Sequence, residues 1–208
     1  MTRVRVKFCG MTRLEDVRAA VELGVDAIGL VCTRRSTRFV EPGQARALRR
    51  ALPPFVSAVA LFMDDAPEWV ADAIAALRPD CLQFHGSETA AFAAAFALPY
   101  LKAVPMASVA DVAGYAAAHP AAAGFLLDGH AAGAAGGSGV AFDWSRVPHG
   151  LGRPLLLAGG LDAGNVAQAI ALARPYAVDV SSGIERAPGV KDAARMRAFV
   201  EAVRAAGG

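Results

Sequence analysis

Residues 4–12 read Val-Arg-Val-Lys-Phe-Cys-Gly-Met-Thr, a short strand-like run that ends on a cysteine. The turn after that run separates the two folds that alternating strands and helices allow. An open doubly wound sheet carries its glycine-rich phosphate loop, GxGxxG, directly after the first strand. Here that place holds Cys9-Gly10-Met11-Thr12, and the glycine-rich turns come late, at Gly159-Gly160 and Gly183. Apolar runs with strand character recur at 4–8, 26–31, 56–62, 80–84, 99–104, 124–127, 154–157 and 176–180, with helix-period segments between them. Eight strands, each followed by a helix or a remnant of one, predict a single-domain (β/α)8 TIM barrel over residues 1–208, near the fold's lower limit of roughly 200 residues.

The helix signals agree. Thr12-x-x-Glu15 predicts a capping box ahead of a face carrying Leu14, Val17, Val21 and Gly24. Asp65, Pro67 and Glu68 predict the start of a third helix with Val70, Ile74 and Leu77 inward. Met196, Phe199, Val200 and Val203 mark the inner face of the last one. The sixth, around 143–147, reads as vestigial. Alanine-rich stretches at 90–97 and 116–123 fit helices that tolerate alanine well.

Composition narrows the function. Twenty-one Lys and Arg against nineteen Asp and Glu give a formal charge of +2, which argues against nucleic acid or a membrane surface as the partner and leaves an anionic small molecule compatible. No apolar run reaches the ~18 residues of a membrane span, and Arg alternates with Val at the N-terminus. A soluble, cytoplasmic protein is expected. Cys9, Cys32 and Cys81 lie far apart and are odd in number, so free thiols are expected.

In a barrel every strand's carboxyl end opens on one face, which would gather Cys9, Arg38, His85, Asp128, Gly159, Gly160, Ser181, Ser182 and Gly183 around one mouth. The turns Ala158-Gly159-Gly160-Leu161 and Ser181-Ser182-Gly183-Ile184 come directly after strands seven and eight, where barrels commonly hold a phosphate on backbone N–H groups. Cys32 and Cys81 sit inside apolar strands as small hydrophobes, whereas Cys9 terminates its strand. A basic Cys9 would need positive surroundings to bring its pKa toward neutrality. Lys7, two residues back on the same face, could supply that field or could instead be spent on Asp179 of the neighbouring eighth strand. Asp128 ends Gly124-Phe-Leu-Leu-Asp128 with no immediate helix to cap, and partial desolvation would raise its pKa so that it holds a proton to donate. Arg38 closes a run, Arg34-Arg35-Ser36-Thr37-Arg38, that is either solvated loop charge or one fork aimed at a substrate carboxylate. His85 either contacts substrate or bonds the backbone. No second ligand stands at metal-site spacing among His85, His119, His130 and His149, so no metal is expected.

These residues sit within KFCGMT (7–12), QFHG (83–86), LLD (126–128), GGSG-x-x-FDW (136–144), LAGGLDAGNV (157–166) and VDVSSGIE-x-x-PGVKD (178–192). The chain thereby resembles, essentially end to end, the phosphoribosylanthranilate isomerase family of tryptophan biosynthesis, a family of (β/α)8 barrels. The resemblance implies an Amadori rearrangement of N-(5-phosphoribosyl)anthranilate to 1-(2-carboxyphenylamino)-1-deoxyribulose 5-phosphate. It implies Asp128 as general acid on the ribose ring oxygen, Cys9 as general base at C2, Arg38 facing the anthranilate carboxylate, and the turns at 159–160 and 181–183 on the phosphate. No redox change occurs, so no cofactor and no metal is implied, and family members are monomers or homodimers. The family usually continues GGSG or GGTG with Lys-Thr, where this chain has Val140-Ala141, and an aromatic commonly stands at Cys32. Two rivals remain at this level. One is the histidine-pathway aminoaldose isomerase, which uses an aspartate where Cys9 stands. The other is a barrel that binds a phosphosugar without turning it over.

Overall fold

The computed structural model describes residues 3–131 and 141–207. The glycine run at 136–139 and Val140 lie outside the described residues. Among those described, eight parallel strands close into a barrel in chain order: β1 (Arg5–Phe8), β2 (Ala27–Val31), β3 (Ser57–Phe62), β4 (Cys81–Phe84), β5 (Tyr100–Pro105), β6 (Gly124–Asp128), β7 (Leu155–Leu157) and β8 (Ala177–Val180). Each lies within a residue or so of an apolar run in the sequence.

Seven helices alternate with the strands among the described residues: α1 (Leu14–Glu22), α2 (Pro42–Arg50), α3 (Pro67–Leu77), α4 (Ala90–Ala94), α5 (Val112–Ala117), α6 (Val166–Ala173) and α7 (Ala193–Gly207). The sixth unit keeps only a 3-10 turn, Trp144–Arg146, in place of its helix. After β8 a second 3-10 turn, Ser182–Ile184, leads into a hairpin of β9 (Glu185–Ala187) and β10 (Val190–Lys191).

Two expected helix starts are built differently. The residue before α1 is Arg13, with no side-chain cap. Thr12 does not form the capping box, because its hydroxyl donates instead to the Gly189 carbonyl at 2.5 Å in the β9–β10 turn. The buried face of α1 is Asp16, Val17 and Ala20, while Leu14 is 38% exposed. Ahead of α3, Asp65 accepts from the Met63 N–H at 2.9 Å, and Ala66 precedes a helix that begins on Pro67. In both places a longer-range or backward hydrogen bond satisfied the polar side chain before the helix could use it.

Strand alternation splits the apolar residues into two layers. Phe8, Ile28, Leu30, Phe62, Leu82, Phe84 and Tyr100 face the helices in the main core, where Phe84 packs within 6.1 Å of Phe62, Phe92, Phe96 and Tyr100. The opposite parity places Ala103, Leu126, Leu156, Ala158 and Ala177 in a separate cluster inside the barrel. The barrel closes where β1 pairs with β8 in parallel, Arg5 opposite Ala177 through Phe8 opposite Val180.

A buried charge pair also holds the helix layer. Lys102 on β5 is 1% exposed and donates to Glu88 at 2.9 Å and to the Gly86 carbonyl at 2.5 Å. Glu88 in turn accepts from the backbone N–H groups of Asp64 and Gly86, joining the loops after β3 and β4. Replacing Lys102 by Met strands that carboxylate in the interior, and urea denaturation of Lys102→Met is expected to show a loss of about 3–5 kcal/mol. A loss below about 1 kcal/mol would mean that the pair is not buried as described.

Candidate active site

The carboxyl ends of the strands surround a cavity lined by Cys9, Arg38, His85, Asp128, Gly159, Gly160, Ser181 and Ser182. Gly183 of the expected set is next to it, packed against the loop after β7. The barrel therefore assembles the mouth that strand order predicts.

Cys9 comes directly after β1, and its N–H donates to the Val180 carbonyl of β8 at 2.9 Å. The thiol and the Lys7 ammonium share the space above Gly29, where an added Cβ would come within 2.7 Å of Cys9 Sγ and 3.1 Å of Lys7 Nζ. Glycine on β2 is what lets the two groups meet. Lys7 also donates to Asp179 at 2.9 Å, both side chains being almost fully buried. The two readings of Lys7 are thus both realised in one ladder, Asp179–Lys7–Cys9. Burial alone would lower the Lys7 pKa, but Asp179 and Cys9 outweigh it and hold the ammonium charged.

The positive surroundings that a basic Cys9 needs are present but do not prevail in the free site. Burial pushes the thiol pKa up, and Lys7 pulls it down, Asp179 pushes it up and Lys191 pulls it down, with the balance upward. One cation already neutralised by Asp179 does not repay the desolvation of a thiolate. In the free site Cys9 is a thiol.

Asp128 is corrected in the other direction. Burial works to raise its pKa, yet His130 and His85 overrule it and hold the carboxyl far below the usual range. His85 Nε2 lies 3.4 Å from Oδ2, and His130 Nδ1 lies 3.4 Å from Oδ1. The two imidazoles stack at 4.4 Å. Sequence spacing offered His85 no partner, but the loop after β6 turns back and brings His130 to it. In the free site Asp128 is a carboxylate.

Arg38 sits at the cavity with its fork engaged. Its Nε and Nη2 donate to the two oxygens of Glu185 at 2.8 and 2.7 Å. Glu185 also accepts from Lys191 at 2.8 Å and from the Gly189 N–H at 3.2 Å. Burial would raise the Glu185 pKa, but Arg38 and Lys191 lower it on balance. Lys191, 3% exposed, reaches further, donating to the Cys9 carbonyl at 2.6 Å and the Ser181 carbonyl at 3.2 Å. Sequence reasoning missed Lys191, Glu185 and His130 as site residues. The first two lie in the VDVSSGIE-x-x-PGVKD stretch, which carries the resemblance but shows no role for either until the hairpin folds back against the ends of β1 and β8.

The two glycine turns are packed against each other. An added Cβ at Gly183 would lie 2.0 Å from the Leu161 carbonyl oxygen. Asn165 braces the first turn, accepting from the Asp162 N–H at 2.9 Å and donating to the Gly160 carbonyl at 2.8 Å. Backbone amides, the Ser181 and Ser182 hydroxyls, the acid/base candidates, Arg38 and Arg35 thus line one cavity, and Arg38 Cδ and Ser181 Oγ both crowd the space over Gly10, at 2.5 and 3.0 Å from an added Cβ.

A family model described as N-(5'phosphoribosyl)anthranilate (PRA) isomerase matches residues 6–202. The chain is 54% identical over 210 residues to the N-(5'-phosphoribosyl)anthranilate isomerase of Xanthomonas oryzae pv. oryzae, covering 98% of this chain and 95% of the relative. Among solved structures it is similar to phosphoribosyl anthranilate isomerase from Thermus thermophilus, at 38% identity and a TM-score of 0.88, covering 97% of this chain and 99% of that one. It is also similar, at 35% identity and a TM-score of 0.80, to such an isomerase solved with reduced 1-(o-carboxyphenylamino)-1-deoxyribulose 5-phosphate, covering 97% and 99%.

The electrostatics of the free site lead to a direct chemical expectation. Iodoacetamide should label Cys9 at neutral pH more slowly than a free thiol, with the rate still rising above pH 9 as thiolate forms. Burial likewise pushes Cys81 up to about 11 and Cys32 up to about 12, so both should also label more slowly than a free thiol in the folded protein. Mass spectrometry of timed reactions checks the rates. Labelling of Cys9 at pH 7 as fast as a free thiol would contradict the upward shift.

Proposed function

The chain belongs to the N-(5'-phosphoribosyl)anthranilate isomerase family, and from that premise we propose that Cys9 and Asp128 are the general base and general acid of its reaction. That reaction is the Amadori rearrangement of N-(5-phosphoribosyl)anthranilate in tryptophan biosynthesis. The observation that carries the assignment of roles is the cavity itself, which has Cys9 and Asp128 on its walls and the paired glycine turns at one end.

In the first step Asp128 protonates the ribose ring oxygen, and the C1–O bond opens to give a protonated Schiff base. Cys9 then takes the proton from C2, leaving an enolamine that tautomerises to the ketone. These roles require the reaction to start from a protonated carboxyl and a thiolate, the reverse of the free site. Substrate supplies part of the difference. Its phosphate and aryl carboxylate are anions that raise the pKa of a neighbouring carboxyl, and the cationic Schiff base lowers that of a neighbouring thiol. Each turnover ends with a protonated thiol and an ionised carboxylate, which is the form the empty site favours. Return of one proton from Cys9 to Asp128 regenerates the reactive form.

The phosphate is assigned to the amides and hydroxyls of 159–160 and 181–183. For the anthranilate carboxylate Arg38 is the assigned partner, held in place by Glu185. Because Glu185 accepts from both nitrogens in the free site, Arg38 contributes chiefly as a fixed positive charge at the rim until the substrate carboxylate competes for it. The partner is a small phosphorylated molecule, and the cytoplasm is the proposed location.

Loss of substrate fluorescence, with substrate generated in place, tests the assignment. Cys9→Ala and Asp128→Asn should each lower kcat by ~10² to 10⁴ with little change in KM, the usual weight of a positioned base or acid. Arg38→Ala should act mainly on KM. Near-normal turnover by Cys9→Ala would overturn the base assignment, and a silent wild type that still binds the reduced product analogue would favour a phosphosugar-binding barrel.

Gly183 gives an independent check on the phosphate end. A Cβ there displaces the Leu161 carbonyl and with it the facing turn, so Gly183→Ala should lower kcat/KM by about 10²-fold, mostly through KM. An unchanged KM in a protein that melts normally would remove the phosphate from this turn.

A further inference from the structure

His85, Asp128 and His130 form a group that the proton-transfer scheme uses only in part. All three are buried, at 8%, 5% and 4% exposure. One ligand-type atom from each lies within 4.8 Å of the others. The two imidazole-to-carboxylate distances are both 3.4 Å. Each imidazole faces a different oxygen of the carboxylate, His85 facing Oδ2 and His130 facing Oδ1, and such a separation is close to that of two ligands held ~2.1 Å from one ion. His85 Nε2 and His130 Nδ1 are buried and have no partner other than the Asp128 carboxylate that each faces at 3.4 Å.

We propose that His85 Nε2, Asp128 and His130 Nδ1 bind a divalent transition-metal ion of the zinc class at the cavity wall. Two imidazoles and one carboxylate are a borderline donor set suited to Zn²⁺, Co²⁺ or Ni²⁺ rather than to Mg²⁺ or Ca²⁺. The fourth position faces the cavity, where Asp128 and His85 are exposed to it, and takes water.

The surrounding shell supports this coordination. Gln83 Nε2 lies 3.1 Å from His85 Nδ1, and its Oε1 is buried without a partner. Rotating the amide brings Oε1 to that nitrogen, where it accepts from Nδ1–H and leaves Nε2 as the nitrogen that binds an ion. A ligating histidine fixed through its other ring nitrogen is the usual second element of a metal site. On the other side, the His130 N–H donates to Asp128 Oδ1 at 3.3 Å, which ties the two ligands of the β6 loop together.

An ion held there occupies the carboxylate that the proposed reaction needs as its acid, so bound metal inhibits. Binding itself does not depend on that reading, and only the inhibition rests on it. The two therefore fail separately.

Equilibrium dialysis of the full chain against Zn²⁺ is the test, with Co²⁺ as the spectroscopic probe. The expected result is one ion per chain, weakened by more than about tenfold in His130→Gln, since loss of a ligand costs at least what loss of a ligand's own support does. Co²⁺-loaded wild type should show visible d–d bands without thiolate-to-cobalt charge transfer, a readout that holds even if His130→Gln does not fold. No stoichiometric ion, unchanged binding in folded His130→Gln, or a thiolate charge-transfer band marking Cys9 or another cysteine would each overturn the site. Stoichiometric binding with unchanged fluorescence-monitored turnover would overturn the inhibition alone.

Discussion

Everything at the mouth depends on the pairing of β1 with β8. That pairing closes the sheet, sets Lys7 opposite Asp179, and carries Cys9 to the level of Ser181. A closed parallel barrel has no free edge, so register is fixed all the way round by this one seam. The buried Lys7–Asp179 pair lies on the inner side of the seam. Such a pair contributes little net stability against two apolar residues of the same size, because desolvating both charges costs about what their attraction returns. Its value lies in geometry. A slip of one residue would turn both charges into the helix layer, and that penalty disfavours any other closure.

A second set of charges carries the seam outward. Lys191 lies under the ends of β1 and β8, bonded to the carbonyls of Cys9 and Ser181, and Glu185 links it to Arg38 in the loop after β2. The hairpin that supplies Glu185 and Lys191 is short and would not hold its shape alone. It is held by those bonds and by Thr12, whose hydroxyl meets the Gly189 carbonyl. Cys9, the turn at Ser181 and Arg38 are thus fastened to one another through a buried cation. Burial works to lower the Lys191 pKa, and Glu185 opposes it without fully offsetting it.

The barrel was legible because strand and helix periods differ and the chain keeps them apart. All eight apolar runs became strands, and the remnant at 144–146 is where periodicity fades. Cys9 and Asp128 were legible because both end a strand, and strand order alone sends them to one face. Helix starts were less so. Thr12 and Asp65 have the side chains of caps, but each has a competitor that local pattern does not contain: a carbonyl 177 residues away for Thr12, and a backward N–H for Asp65. The directions of the acid and base pKa values were illegible for the same reason. They depend on which charges lie within a few ångströms, and His130 beside Asp128, or Asp179 taking most of Lys7, is a fact of folded space.

The protonation states of Cys9 and Asp128 show how the site is poised. A site that rested in the reactive form would need a carboxyl raised and a thiol lowered, two perturbations to be held continuously against solvent. Here the empty barrel instead stabilises the ionised Asp128 with two imidazoles and keeps Cys9 protonated, the state that the proposed chemical step would leave behind. The charges needed to invert it, two anionic groups and a cationic intermediate, belong to the substrate. On the proposed roles the reactive protonation state is reached only on occupancy, and the two imidazoles that face Asp128 at 3.4 Å are what hold the resting carboxylate in the meantime.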